Sequence, residues 1–191
     1  MINPSKITDY NRTIPELEEF LLFCVCAAGK DSHVQAHKLN IFLKSCSWVS
    51  ERPFVRISQM ILTDSLMDNL KRAKLGKYKL LHDSFSELVA RGFDLKNVDW
   101  WKLTTIPGIG IKTAKFFVCH SQEDFHGAIL DTHVLKWLQM QFPRFKVPKT
   151  SPSNAKQYQL WENFFLAACY QRKTTVAKLD LEIWNSQGQL A

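Results

Sequence analysis

The sequence predicts an all-α fold of about ten helices, on three observations. Apolar residues recur at the 3.6-residue helical period along most of the chain, and no stretch alternates apolar and polar residues at period 2. Glycines and prolines fall at the joints between the periodic segments.

Thr13-Ile14-Pro15 opens the first helix, with proline in its first turn and acids close behind. Its expected apolar face is Leu17, Phe20, Leu21, Cys24, Val25 and Ala28, and Gly29 stops it. Asp31 or Ser32 caps a second helix carrying Val34, Leu39, Phe42 and Leu43. Pro53 starts a third with Ile57, Ile61 and Leu62, and Thr63 or Asp64 caps a fourth with Leu66, Met67 and Leu70. Tyr78, Leu81, Phe85, Leu88 and Val89 give a fifth that ends at Gly92. A short helical piece runs from Asp99 to Thr105, before Pro107. Residues 111–120 and 131–141 give two more, the latter stopped by Pro143. Arg144 to Ser153, with three basic residues and two prolines, reads as a loop. The last two helices carry Leu160, Trp161, Phe164, Phe165 and Ala168, then Val176, Leu179, Ile183 and Trp184.

A chain of 191 residues can bury roughly 70 % of its unfolded surface, enough for one core or two small lobes without staples. Hydrophobic residues at 46 % and charged residues at 23 % exclude a disordered, collagen-like or disulfide-framed chain. The longest apolar run, Phe20 to Ala28, falls well short of the roughly 18 residues that span a membrane. The first 15 residues have no signal-peptide anatomy. Five cysteines, Cys24, Cys26, Cys46, Cys119 and Cys169, are odd in number and sit mostly in apolar helical patterns, so they read as free thiols in a reducing compartment. The expected location is therefore intracellular: cytoplasm or nucleoid, or the nucleus of a eukaryote. A net charge of +7 favours a polyanionic partner without specifying any chemistry.

The chemistry concentrates in Leu103-Thr104-Thr105-Ile106-Pro107-Gly108-Ile109-Gly110-Ile111-Lys112-Thr113-Ala114, followed by Asp131-Thr132-His133. Helix, Pro-Gly-Ile-Gly, helix is a tight hairpin. Gly108 and Gly110 permit positive φ and close approach of a ligand, and the amides beyond them open toward a phosphate at a helix N-terminus. The plain alternative is a glycine turn between two helices. Lys112 falls in the first turn, where the helix field disfavours an ammonium, and a neutral lysine amine is a nucleophile able to form a Schiff base. The competing reading is an exposed lysine that touches phosphate. Asp131, 19 positions on, reads both as an N-cap and as a fixed carboxylate able to stabilise positive charge.

This combination resembles the helix-hairpin-helix, Gly/Pro-rich, aspartate superfamily of DNA base-excision glycosylases, which includes endonuclease III and the 8-oxoguanine DNA glycosylases. The resemblance runs from about Trp100 to Trp137. It implies a two-lobed helical fold with the active site in the cleft between lobes. One lobe would comprise residues 1–44 and 128–191, the other residues 45–127, ending in the hairpin at about 99–120. It implies Lys112 as the nucleophile of a bifunctional glycosylase/AP lyase and Asp131 as the catalytic aspartate. Gly108, Gly110, Thr113 and His133 would hold the DNA backbone, and the carbonyls of Thr104, Ile106 and Ile109 would hold a monovalent cation. The turn Gly29-Lys30-Asp31-Ser32 would supply wedge residues, with Lys30 the candidate.

Lys178-Leu179-Asp180-Leu181-Glu182-Ile183-Trp184 resembles the ending of the short archaeal-type 8-oxoguanine DNA glycosylases, which would place Trp184 in the base pocket; the alternative is a core aromatic. The tail Asn185 to Ala191 is shorter than in that group and lacks its terminal lysine. After Asp131 only Cys169 remains, so the expectation is no iron–sulfur cluster and no dissociable cofactor. His33 and His37 stand four apart without a third ligand. Arg72, Lys74, Lys77 and Lys79 with Tyr78 read either as a backbone-tracking patch or as a solvated face. The expected partner is damaged double-stranded DNA, bound by a monomer at no membrane. The expected activity is excision of an oxidised base, 8-oxoguanine first. An oxidised pyrimidine or other modified base is the alternative within enzymes, and a non-catalytic DNA-gripping module is the alternative outside them.

Overall fold

The computed structural model describes residues 1–45 and 50–188. Among the described residues there are ten α-helices, one 3-10 turn (Pro4–Lys6) and no strand, so the fold is all-α as the sequence predicts. The helices are α1 (Ile14–Ala27), α2 (Ser32–Lys44), α3 (Pro53–Leu62), α4 (Leu66–Arg72), α5 (Tyr78–Arg91), α6 (Trp100–Leu103), α7 (Ile111–Ser121), α8 (Thr132–Gln141), α9 (Ala155–Arg172) and α10 (Val176–Gly188). The thiol expected at Cys46 and the chain end at 189–191 lie outside the described residues. The four described cysteines, Cys24, Cys26, Cys119 and Cys169, are buried. No described helix is long and apolar enough to cross a membrane.

Backbone contacts divide the chain into Met1–Gln122 and Glu123–Ala191. The first unit holds α1 to α7, with α1 packed on α2, α3, α5 and α7. Phe20, Leu21, Leu22, Phe23, Cys24, Val25 and Cys26 of α1 are all buried, so the helix is covered all round over this stretch. Each fully buried Leu or Phe there contributes about 1.5–3 kcal/mol. Thr13 starts α1 through a capping box, its amide donating to Glu16 Oε2 at 2.8 Å.

Three expected core positions of α2 and α3 are instead at the surface. Val34 is 47 % exposed, and Ile61 and Leu62 also face solvent. The buried faces of α2 and α3 are rotated toward Gln35, Ala36, Leu39, Phe42 and Leu43, and toward Phe54, Ile57 and Met60. Ser65, rather than Thr63 or Asp64, precedes α4, because Asp64 takes a left-handed φ of 51° that ends α3.

The second unit holds α8, α9 and α10, with α10 packed on both others. On α9 the buried residues are Tyr158, Trp161, Glu162, Phe165, Ala168 and Cys169, a stripe at three- and four-residue steps, whereas Leu160 is exposed. Two members of that stripe, Tyr158 and Glu162, are polar.

Candidate active site

Within the first unit, α6 and α7 are joined by a hairpin pinned from below by buried Ile106 and Ile109, with Pro107, Gly108 and Gly110 at the surface. Gly108 has φ +80°, in the left-handed region. A Cβ there would stand 3.0 Å from two atoms of Leu80 and 3.1 Å from Ser84 Oγ. The hairpin therefore rests directly on α5, and the Ser84 hydroxyl shares its hydrogen between the carbonyls of Leu80 and Pro107. The sequence reading overlooked Ser84 and Leu80. It also overassigned Gly110, whose φ of −84° and ψ of 174° are extended backbone open to any residue. Only the first glycine meets a conformational demand.

Gly110 is the N-cap of α7 and no side chain caps it. The first intrahelical bond runs from the Ala114 amide to the Gly110 carbonyl at 3.0 Å, which leaves the preceding amides without helical partners, as at every helix start. Lys112 is the second residue of α7 and is half-buried, as is Thr113 beside it. The other amine of this helix, Lys115, is buried with its Nζ 4.5 Å from the Trp100 ring centroid. Of the three carbonyls expected around a cation, that of Ile106 accepts the Ile109 amide at 3.1 Å. One lone pair of that oxygen remains for a cation.

Lys30, expected as a wedge, donates its ammonium to the Leu75 carbonyl and is half-buried. Lys77 reciprocates by donating to the Ala28 carbonyl at 3.2 Å. The pair ties the α1–α2 turn to the α4–α5 turn. Burial lowers the pKa of Lys30, with Lys77 and Lys38 acting in the same direction. In the basic patch, Lys79 is paired with Asp83 at 2.8 Å, while Arg72 and Lys74 are exposed. His33 and His37 are exposed, and among the described residues no group of three or more His, Cys, Asp or Glu side chains could hold a metal.

Within the second unit, Asp131 is the N-cap of α8, its Oδ1 accepting the Val134 amide at 2.8 Å. The side chain is buried, only 6 % exposed, which fixes its direction. Two residues on, the His133 ring meets Trp184 of α10 edge to face, with centroids 5.7 Å apart. His133 Nδ1 is buried without a hydrogen-bond partner, so any contact of this ring with a DNA strand falls to Nε2. Trp184 is 41 % exposed, too open for a core aromatic.

The segment entering Asp131 is held from α9. Tyr158 donates its hydroxyl to the Ala128 carbonyl at 2.8 Å and accepts the Leu130 amide at 3.2 Å. The Glu162 carboxylate accepts the Ala128 amide at 2.6 Å. Gly127 makes room for it, since a Cβ there would stand 3.0 Å from Glu162 Oε1. Burial pushes the Tyr158 phenol well above the ordinary tyrosine range, and the charges of Glu162, Asp131 and Asp180 push the same way, so it stays a donor.

No family model matches the chain. An all-helical chain with a glycine hairpin between α6 and α7 and a capping aspartate at α8 falls in the helical class that the resemblance implied. Among solved structures it is similar to the 8-oxoguanine glycosylase/lyase of Methanocaldococcus jannaschii, solved in complex with a 15mer DNA containing 8-oxoguanine. The likeness covers 94 % of this chain and 84 % of that one at a TM-score of 0.68, with 18 % sequence identity. It establishes the fold alone: the chain shares the all-helical fold of that protein.

Proposed function

We propose that this chain is a bifunctional DNA glycosylase/AP lyase of base-excision repair, acting on 8-oxoguanine in duplex DNA. The observation that carries the reading is the position of Lys112, the second residue of a helix whose uncapped N-terminus follows a left-handed glycine, in a chain with the glycosylase fold. The helix N-terminus and the hairpin amides suit one DNA phosphate. Lys112 and not Lys115 is the nucleophile, because the Lys115 amine is buried against Trp100.

The lesion base leaves the stack at a cost of a few kcal/mol, which damage lowers. The amine of Lys112 attacks the sugar C1′ as the glycosidic bond breaks and the bonding pair departs with the base. Asp131, kept rigid by the Val134 amide, stabilises the positive charge that develops on the sugar. Loss of the amine proton and ring opening give the imine, and removal of a C2′ proton then expels the 3′ phosphate and nicks the strand. Trp184, braced by His133, offers an open indole face to the extruded base. A monovalent cation at the hairpin carbonyls would add a positive charge beside the bound phosphate.

A panel of duplexes, each carrying one defined lesion and scored for strand cleavage, tests this. Cleavage strongest at 8-oxoguanine is expected. Cleavage strongest at an oxidised pyrimidine would move the assignment to another lesion, and binding without cleavage of any duplex would reduce the protein to a DNA-gripping module.

A further inference from the structure

We infer that Tyr158 and Glu162 of α9 are positioning residues for Asp131, holding the segment 128–130 through three backbone hydrogen bonds so that the carboxylate that follows it points one way. The inference rests on the reading of Asp131 as the charge-stabilising group.

The geometry is specific. Three of the polar backbone groups in the three residues before Asp131 are engaged by two side chains one helical turn apart: the Ala128 amide by Glu162, the Ala128 carbonyl and the Leu130 amide by Tyr158. A tyrosine hydroxyl has one hydrogen to give and lone pairs to accept, and here both functions are used on the same strand of backbone. Tyr158 and Glu162 occupy positions of the α9 stripe otherwise filled by Trp161, Phe165, Ala168 and Cys169. Glu162 is only 4 % exposed, and a carboxylate is costly there unless it is hydrogen-bonded. An apolar pair would satisfy packing alone. What the polar pair adds is direction: a segment with no regular structure is fixed against a helix, one residue from the group that must meet a developing charge within a fraction of an ångström.

The test uses Tyr158→Phe, which keeps the ring and removes both hydrogen bonds, alone and combined with Asp131→Asn, in the full chain. Single-turnover base release from an 8-oxoguanine duplex at saturating protein is measured, together with thermal midpoint, duplex affinity and amide exchange at Leu130. Expected are faster exchange at Leu130, unchanged duplex affinity and base release slowed by about 10- to 100-fold, the scale of a misplaced reacting group. In the Asp131→Asn background the second substitution should slow base release no further, because the carboxylate it aims is already gone. Glu162→Met, which removes the acceptor of the Ala128 amide, should behave in the same non-additive way. Equal slowing in both backgrounds would show that the pair acts by general stability, and wild-type base release or unaltered Leu130 exchange in Tyr158→Phe would overturn the inference outright. Failure of the underlying reading looks different: Asp131→Asn would then release base at the wild-type rate.

Discussion

The hydroxyl of Ser84 on α5 donates to the carbonyl of Pro107, fastening the surface hairpin to the buried face of a helix of its own unit. The loop proposed to hold a DNA phosphate is therefore preorganised by a side chain 23 positions away. Ser84→Ala leaves the Pro107 carbonyl without that donor. It should lower stability by about 1 kcal/mol, the usual cost of one lost hydrogen bond, and weaken duplex binding without abolishing base release. Thermal unfolding and a binding titration check both effects; unchanged affinity would show that the hairpin keeps its shape unaided.

Gly108→Ala acts on the same contact from the other side. It forces an L residue to φ +80° and drives a methyl group against Leu80 and Ser84. A loss of about 1–3 kcal/mol is expected. Gly110→Ala, in extended backbone with open space at the Cβ position, should leave folding stability unchanged to within about 0.5 kcal/mol. Comparison of the two unfolding midpoints decides whether the glycines differ as their φ angles say.

The fold was legible in the periodicity. Helix existence followed from spacing and punctuation, as at Pro53, Gly92 and the Asp131 cap. Faces were less legible, because a period shows where apolar residues recur and not which neighbours cover them: Val34, Ile61 and Leu62 fit the pattern yet face solvent. Lys112 and Asp131 stood out through a compact motif. Ser84 did not, since a serine in an amphipathic helix carries no mark of the loop it will meet. Tyr158 and Glu162 left a signal that was overlooked, a tyrosine and an acid four apart within the apolar stripe of α9.

Asp131→Asn separates charge from capping. Asparagine caps a helix about as well as aspartate, so the fold and duplex affinity should persist. Base release should fall by about 10²–10³-fold, as when one preorganised electrostatic group is removed. Single-turnover rates beside a thermal midpoint read this directly, and an unchanged rate would exclude the carboxylate from the reaction.

The buried thiols set an alkaline limit on stability. Burial pushes Cys26 up to about 12 and Cys169 up to about 11 from an ordinary 9.0, and raises Cys24 as well. A raised folded-state pKa means the native thiol keeps its proton while the unfolded one loses it. The contribution is thus fully present below about pH 9 and is lost as the pH rises from there toward 12. Each such thiol subtracts about 1.4 kcal/mol per pH unit in that window. Denaturant midpoints measured between pH 8 and 11 should fall steadily, and Cys26→Ala should flatten the slope; a slope unchanged by the substitution would assign the alkaline loss to other groups.

The proposed covalent step rests on the Lys112 amine, and borohydride trapping reads it most directly. Incubated with an 8-oxoguanine duplex and borohydride, the wild-type chain should form a covalent protein–DNA complex, and Lys112→Gln, with an intact fold, should form none. A complex that survives the substitution would place the nucleophile on another amine and contradict the assignment.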